Sequence, residues 1–277
     1  MIEKETNNIT GKPVEGFNKL SIQVSLNGLS FCVFDTVSNT VLSNENLVFA
    51  KELTPYEVLK QLKQLLSSHN VMNSRFSEVV VVHRNNLFGF VPKSLFDPVE
   101  LPNYLKFNTK ILANDHLAYD ELKSYDMVNV YVPFVNINNY IFDHFGEFTF
   151  KHNGTVMAES LLSSHGNTVQ PVCYVYIYEK QIDITVIAEK KLLLFNSFKF
   201  VTKEDFLYYL LFTVEQLKLD TESMVLKLFG SIEEGDDIYE MCYRYVRNVS
   251  IFVPSFTPPA AIGDIEETID FTVINAL

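Results

Sequence analysis

The sequence contains no tryptophan and only three cysteines among its 277 residues. Cys32, Cys173 and Cys242 are far apart and set among apolar neighbours. Such an odd set argues for buried free thiols in a reducing compartment rather than a disulfide framework. Basic residues are also scarce: 22 Lys and Arg stand against 34 Asp and Glu, giving a formal net charge of −12. No cluster of Lys and Arg interrupts that balance, so nucleic acid and anionic membrane are poor partners. No apolar run approaches the roughly 20 residues that span a bilayer, so no membrane insertion is expected. The opening MIEKETNNITGKP lacks the layout of a signal peptide. Residues 1–18 read as a flexible lead-in, and the expected location is cytoplasmic.

Several motifs of common chemistry are missing as well. Neither GxxxxGK[ST] nor GxGxxG occurs, which removes the common phosphate loops. No GxSxG marks a hydrolase nucleophile, and the six histidines include no HExxH and no close pair. No catalytic residue and no metal ligand set is therefore named. The acidic stretch 233–237 reads as a solvated loop leading into a helix.

What remains is a globular composition, 47% hydrophobic and 20% charged, with 23 Phe and 14 Tyr. Residues 21–49 read as three short strands in a meander. Ile22, Val24 and Leu26 alternate with Gln23 and Ser25, the period of a half-buried strand. Asn27-Gly28 suggests a type I′ hairpin turn, with positive φ at both positions. Thr54-Pro55 with Glu57 then opens a helix, Thr54 at the N-cap and Pro55 at the first helical position. Four consecutive valines at 79–82 suit a strand covered on both faces.

The same order returns at 173–200, followed by a helix from Thr202. Ile22, Val24, Leu29, Phe31 and Val33 correspond to Val175, Ile177, Ile182, Ile184 and Val186, each 153 positions on. Residue identity between the copies is low, so two unrelated meanders are the competing explanation. The second helix is apolar around most of its circumference and is expected to be buried between layers. An acidic tail, 263–277, is expected to be loosely held.

Two meanders, each followed by a helix and parallel-type strands, resemble the actin-like ATPase superfamily of actin, sugar kinases and heat-shock chaperone ATPases. The outline is similar to an uncharacterised bacterial family of that superfamily, and to its pilus-assembly and cell-division homologues. Carrying it are the Asn27-Gly28 hairpin and the segments LFGFVPKSLF (87–96), VYVPF (130–134), FTFKH (148–152) and VLKLFGS (225–231). The resemblance implies an α/β fold of two duplicated ribonuclease-H-like domains, with mixed sheets flanked by helices. The expected domains are 19–125 and 126–262.

It also implies where nucleotide chemistry would sit. In active members the first hairpin supplies a carboxylate and glycines for metal and phosphates. Here it reads Ser25-Leu26-Asn27-Gly28, without the carboxylate. The second hairpin, YEKQID at 178–183, has no glycine to let backbone amides approach phosphate. The adenosine-contacting glycine pair is reduced to Gly230 followed by Ser231. If a nucleotide binds, Ser25, Asn27, Gly28, Glu179, Gly230 and Ser231 are the residues to line its site. Glu179 or Asp183 could then hold magnesium, against the reading of each as a solvent-facing carboxylate. Three functions follow as expectations. The first is a non-catalytic scaffold with no cofactor, binding an unknown protein partner. The second is a divergent ATPase or kinase using ATP and magnesium. The third is a self-assembling component of a division or envelope apparatus.

Overall fold

The computed structural model describes residues 17–166, 168–254 and 269–277. Its first sheet is built from β1 (Asn18–Val24), β2 (Gly28–Asp35), β3 (Thr40–Val48), β4 (Glu78–His83) and β8 (Thr149–His152), in the order β3-β2-β1-β4-β8. The second takes β9 (Val172–Tyr178), β10 (Gln181–Ala188), β11 (Lys191–Lys199), β12 (Val225–Gly230) and β13 (Asn248–Ile251), in the order β11-β10-β9-β12-β13. In each, an antiparallel meander is extended by two parallel strands. Ile22 sits opposite Phe31 and Val175 opposite Ile184, so the offset seen in sequence is also the offset in register. The repeat is a duplicated topology, and two unrelated meanders are ruled out.

The helices repeat in the same order. In the first copy α1 (Pro55–Ser68), α3 (Val135–Phe145) and α4 (Asn153–Ser164) follow the meander, β4 and β8. In the second, α5 (Lys203–Gln216), α6 (Asp237–Tyr245) and α7 (Phe271–Asn275) follow the meander, β12 and β13. Thr54 caps α1 in a reciprocal capping box with Glu57, and Thr202 does the same for α5 with Asp205. Val58, Leu62 and Leu66 of α1 meet Ile22, Phe31 and Val81 of the first sheet. Each such fully buried side chain contributes roughly 1.5–3 kcal/mol.

Three sequence expectations change. Ser21, Gln23 and Ser25 are as buried as their apolar neighbours, because α4 and α7 cover the face opposite α1 and α3. Helix α5 is buried on one side only: Phe206 and Leu210 face the core, whereas Tyr208 and Phe212 are exposed. The division expected between 125 and 126 falls between paired strands, β6 (Ala118–Leu122) and β7 (Met127–Tyr131). These form a small sheet with β5 (Phe88–Pro92), in the order β5-β7-β6, inserted between β4 and α3 together with the short α2 (Leu101–Leu105). The first copy therefore runs on through β8 and α4, and the change of sheet comes between α4 and β9.

The expected loose tail is also corrected in part. Residues 263–268, like nearly all of the lead-in 1–18, lie outside the described residues, but from Ile269 onward the chain is packed inside. Phe271, Thr272, Val273 and Ile274 are buried, with Val273 and Ile274 on Cys32, Phe34 and Val41 of the first sheet. Phe271 joins Tyr174, Tyr176 and Phe229 of the second. Helix α7 is thus a wedge between the two sheets, against α4. All three cysteines are buried without a disulfide, and burial pushes their thiols up to about 12. Among the described residues, no helix is long and apolar enough to cross a membrane.

Candidate functional site

The repeated hairpins bring their ends together between the two sheets. The turn between β1 and β2 is made by Leu26 and Asn27, closed by Ser25 N–H donating to the Gly28 carbonyl at 3.0 Å. No residue of it has positive φ, so it is not the type I′ turn expected. The reason is Ser25, whose Oγ accepts from the amides of Asn27 (3.2 Å) and Gly28 (2.9 Å) and donates to the Gly28 carbonyl at 3.0 Å. A serine side chain bonded to amides two and three residues on stabilises a turn of negative φ.

Across the gap stands an aromatic strand face. Tyr174, Tyr176 and Tyr178 alternate on β9, and all three are buried. A Cβ placed on Gly28 would lie 2.6 Å from the Leu47 carbonyl oxygen and 3.2 Å from the Tyr178 hydroxyl. Glycine is required there because β3 and Tyr178 come this close. Tyr178 donates to Asn46 Oδ1 of β3 at 3.0 Å, which ties the two meanders directly. Burial, with Asp270 nearby, raises the Tyr178 phenol to about 12 and the Tyr176 phenol well above its ordinary value.

Into this junction the chain sends Arg84, the first residue after β4. Its amide is fixed by the Val24 carbonyl at 2.9 Å, and its Nη2 meets Asp183 Oδ2 at 2.8 Å. Both side chains are at most 2% exposed. The guanidinium lies over the rings of Tyr176 (5.3 Å) and Tyr178 (4.8 Å). Among the described residues its Nε and Nη1 have no hydrogen-bond partner. Burial opposes its charge, but Asp183, the two tyrosines and Asp270 outweigh that and raise its pKa.

Asp183 is spent on this junction. Besides Arg84 it accepts from Asn153 Nδ2 at 3.3 Å and Gln181 Nε2 at 3.4 Å, and the Ser197 hydroxyl also bonds to it. It is not the solvent-facing carboxylate expected. Asp270 closes the other side. It caps α7 through the amides of Thr272 (2.9 Å) and Val273 (3.3 Å), and accepts from Gln23 Nε2 (3.0 Å) and Tyr176 Oη (3.3 Å).

The residues expected to line a nucleotide site divide into two groups. Gly28 lies against Tyr178 and Gly230 against the neighbouring Tyr176 of the same strand face, and Ser25 and Asn27 hold the first turn. Gly230, at φ +91°, leaves its absent Cβ only 2.2 Å from the Ile177 carbonyl oxygen, and Ser231 donates its amide to that oxygen at 2.8 Å. Glu179 is exposed in the turn before β10, at φ +53°, and stands apart from the buried carboxylates. The amides of the first hairpin are taken by Ser25, the space before it by Tyr178, and the buried strand carboxylate by Arg84. Among the described residues, no three His, Cys, Asp or Glu are grouped to hold a metal ion.

Arg84, Asp270 and the tyrosine face were not singled out from sequence. The signals were present: an arginine two positions past a buried valine run, a YVYIY alternation, and an Asp before the mostly apolar stretch 271–274.

A second feature is open. Edge strands β5 and β11 flank a groove of about 900 Å³, lined also by Tyr104 and Phe107. Its floor is aromatic, with Phe195 at 5.5 Å from Phe88 and 5.6 Å from Phe90. Among the described residues, no charged side chain lines it. Asn86, Asn108, Thr109 and Asn196 supply its polar groups.

With this geometry in hand, the chain can be placed among known proteins. It belongs to the family described as Protein of unknown function (DUF3822), which matches residues 9–249. A Bacteroides thetaiotaomicron protein with an actin-like ATPase fold and unknown function shares 21% identity, at a TM-score of 0.77. The similarity covers 85% of this chain and 91% of that one. A chain of a PilM–PilN type IV pilus biogenesis complex shares 11% identity at a TM-score of 0.57, covering 85% and 88%. No curated protein matches significantly. The fold is that of the actin-like ATPases.

Proposed function

We propose that this DUF3822 protein is a non-catalytic scaffold of actin-like fold, whose two halves are held together by its own side chains instead of by a nucleotide. The carrying observation is the junction at Arg84. A buried guanidinium, paired with Asp183 and laid on Tyr176 and Tyr178, occupies the ground between the hairpins. Helix α7 and its cap Asp270 complete the filling. A cation fixed within the chain satisfies the carboxylate that a bound magnesium would otherwise meet. The solved pilus complex, a similar fold in a two-protein assembly, supports a role in holding a protein partner. On this reading the protein is not an enzyme, works without ATP or magnesium, and works where thiols stay reduced.

The test is calorimetric titration of the full chain with magnesium-ATP. No saturable heat is the expected result. Magnesium-dependent binding in the micromolar range would overturn the proposal.

A further inference from the structure

We infer that the groove between β5 and β11 is a docking site for an extended, uncharged segment of a partner protein, added as a β-strand. The inference rests on reading the chain as an interaction protein, and it names where and what that protein holds.

The backbone argues first. Strand β11 is the outer strand of the second sheet and β5 of the small sheet, so each has one side that pairs with no strand among the described residues. The peptide N–H and C=O groups of an open strand edge are satisfied by an extended chain, whereas a helix uses its own groups internally. The lining argues next. The chain carries 56 acidic and basic residues, yet among the described residues none of them lines the groove. The stretch of β11 that does so, Leu192–Phe198, reads LLLFNSF. A charged occupant would lose hydration there and find no counter-ion. Apolar side chains of the occupant meet Phe88, Phe90 and Leu193, while hydroxyl or amide groups reach Asn108 and Thr109.

The edge is also guarded. Lys191 and Lys199 stand at the two ends of β11, a charged stop of the kind that prevents indiscriminate strand pairing. Between them the register with β10 shifts, leaving Leu193 bulged out and 45% exposed, and Asn196 Oδ1 accepts from the Ser197 amide at 2.9 Å. The open edge is therefore an interval of about seven residues, roughly 23 Å of strand. Phe107, 84% exposed beside the groove, is placed to close over an occupant.

The experiment pans a displayed library of random heptapeptides against the full-length protein. Enriched peptides are then made with blocked ends and titrated by fluorescence anisotropy. The expected outcome is enrichment of uncharged sequences with apolar residues at every second position. Their affinity should fall at least about tenfold in Phe107→Asp and in Leu193→Lys, as for contacts at an interface centre. Both positions are exposed, so the variants should fold, and Tyr208→Ser on the outer face of α5 should leave affinity unchanged. No enrichment, enrichment of charged or helix-periodic sequences, or binding indifferent to both variants would overturn the inference. So would a concentration-dependent dimer lost in both variants, which would make a second copy the occupant. Binding of magnesium-ATP would sink the closed-junction proposal without altering these results, so the two failures are distinguishable.

Discussion

Replacing Arg84 by methionine tests whether the junction holds the halves together. The ion pair with Asp183 is 2.8 Å long and essentially free of solvent, so the loss of one partner leaves a lone buried carboxylate. Removing one member of such a pair typically costs ~3–5 kcal/mol. Asp183 would keep the Ser197 hydroxyl and the longer bonds from Asn153 and Gln181, which places the loss near the lower end, about 3 kcal/mol. Loss of the contact with the two tyrosine rings, about 1 kcal/mol each, is partly offset by the methionine sulfur against the same rings. In the double variant Arg84→Met/Asp183→Asn no charge is left uncompensated, and about 2 kcal/mol should return. Urea denaturation with an unchanged m-value would read both numbers. An Arg84→Met loss under about 1 kcal/mol, or a double variant worse than the sum of the singles, would refute the reasoning.

Three further outcomes follow from the same structure. Gly230→Ala should cost more than about 1–3 kcal/mol in thermal or urea unfolding, because φ is +91° and the new Cβ meets the Ile177 carbonyl at 2.2 Å. Asp270→Ala removes the α7 cap and the acceptor for Gln23 and Tyr176. About 1–3 kcal/mol of local stability should go, and amide exchange over 269–277 should quicken well beyond the change elsewhere. Acid sensitivity has a sign fixed by burial. Burial holds His83 and His152 at about 4 and about 3. Below about pH 6.5 the unfolded chain therefore takes up protons that the folded one refuses, and stability falls. Asp120 opposes this. Partly exposed but crowded by Tyr131, Thr155 and the His152 amide, it is pushed by burial up to about 6, so the folded form gains its proton first as pH falls. Asp120→Asn should remove that compensation, making the stability loss between pH 7 and pH 4 steeper than in the wild type by roughly 2 kcal/mol. An identical pH profile in the two proteins would contradict it.

Much of the fold was legible because its signals are local. The helix starts at Thr54 and Thr202, the valine run of β4 and the two meanders rest on residues that are neighbours in sequence. The pairing of Ile22 with Phe31 and of Val175 with Ile184 preserves the offset that the pattern gave. The parts that escaped depend on contacts between distant segments. Gln23 read as a solvent-facing strand residue because Asp270, 247 positions away, could not be known to receive it. Asp183 read as exposed because its partner Arg84 comes from the other copy, 99 positions away. The acidic character of 263–277 concealed the apolar 271–274, which only the space between two sheets makes useful. In the hairpin, Asn27-Gly28 suggested a positive-φ turn, and the hydroxyl of Ser25 decided otherwise. The groove left no mark beyond LLLFNSF, since a strand edge is defined by what does not pair with it.

The central claim is that the ground between the hairpins is closed by the protein itself. Amide hydrogen exchange at 25–28, 177–183 and 229–231, with and without saturating magnesium-ATP, tests it most directly. The expected result is strong protection in the protein alone and no change on adding the nucleotide. Rapid exchange at these amides without nucleotide, slowed when magnesium-ATP is added, would contradict it.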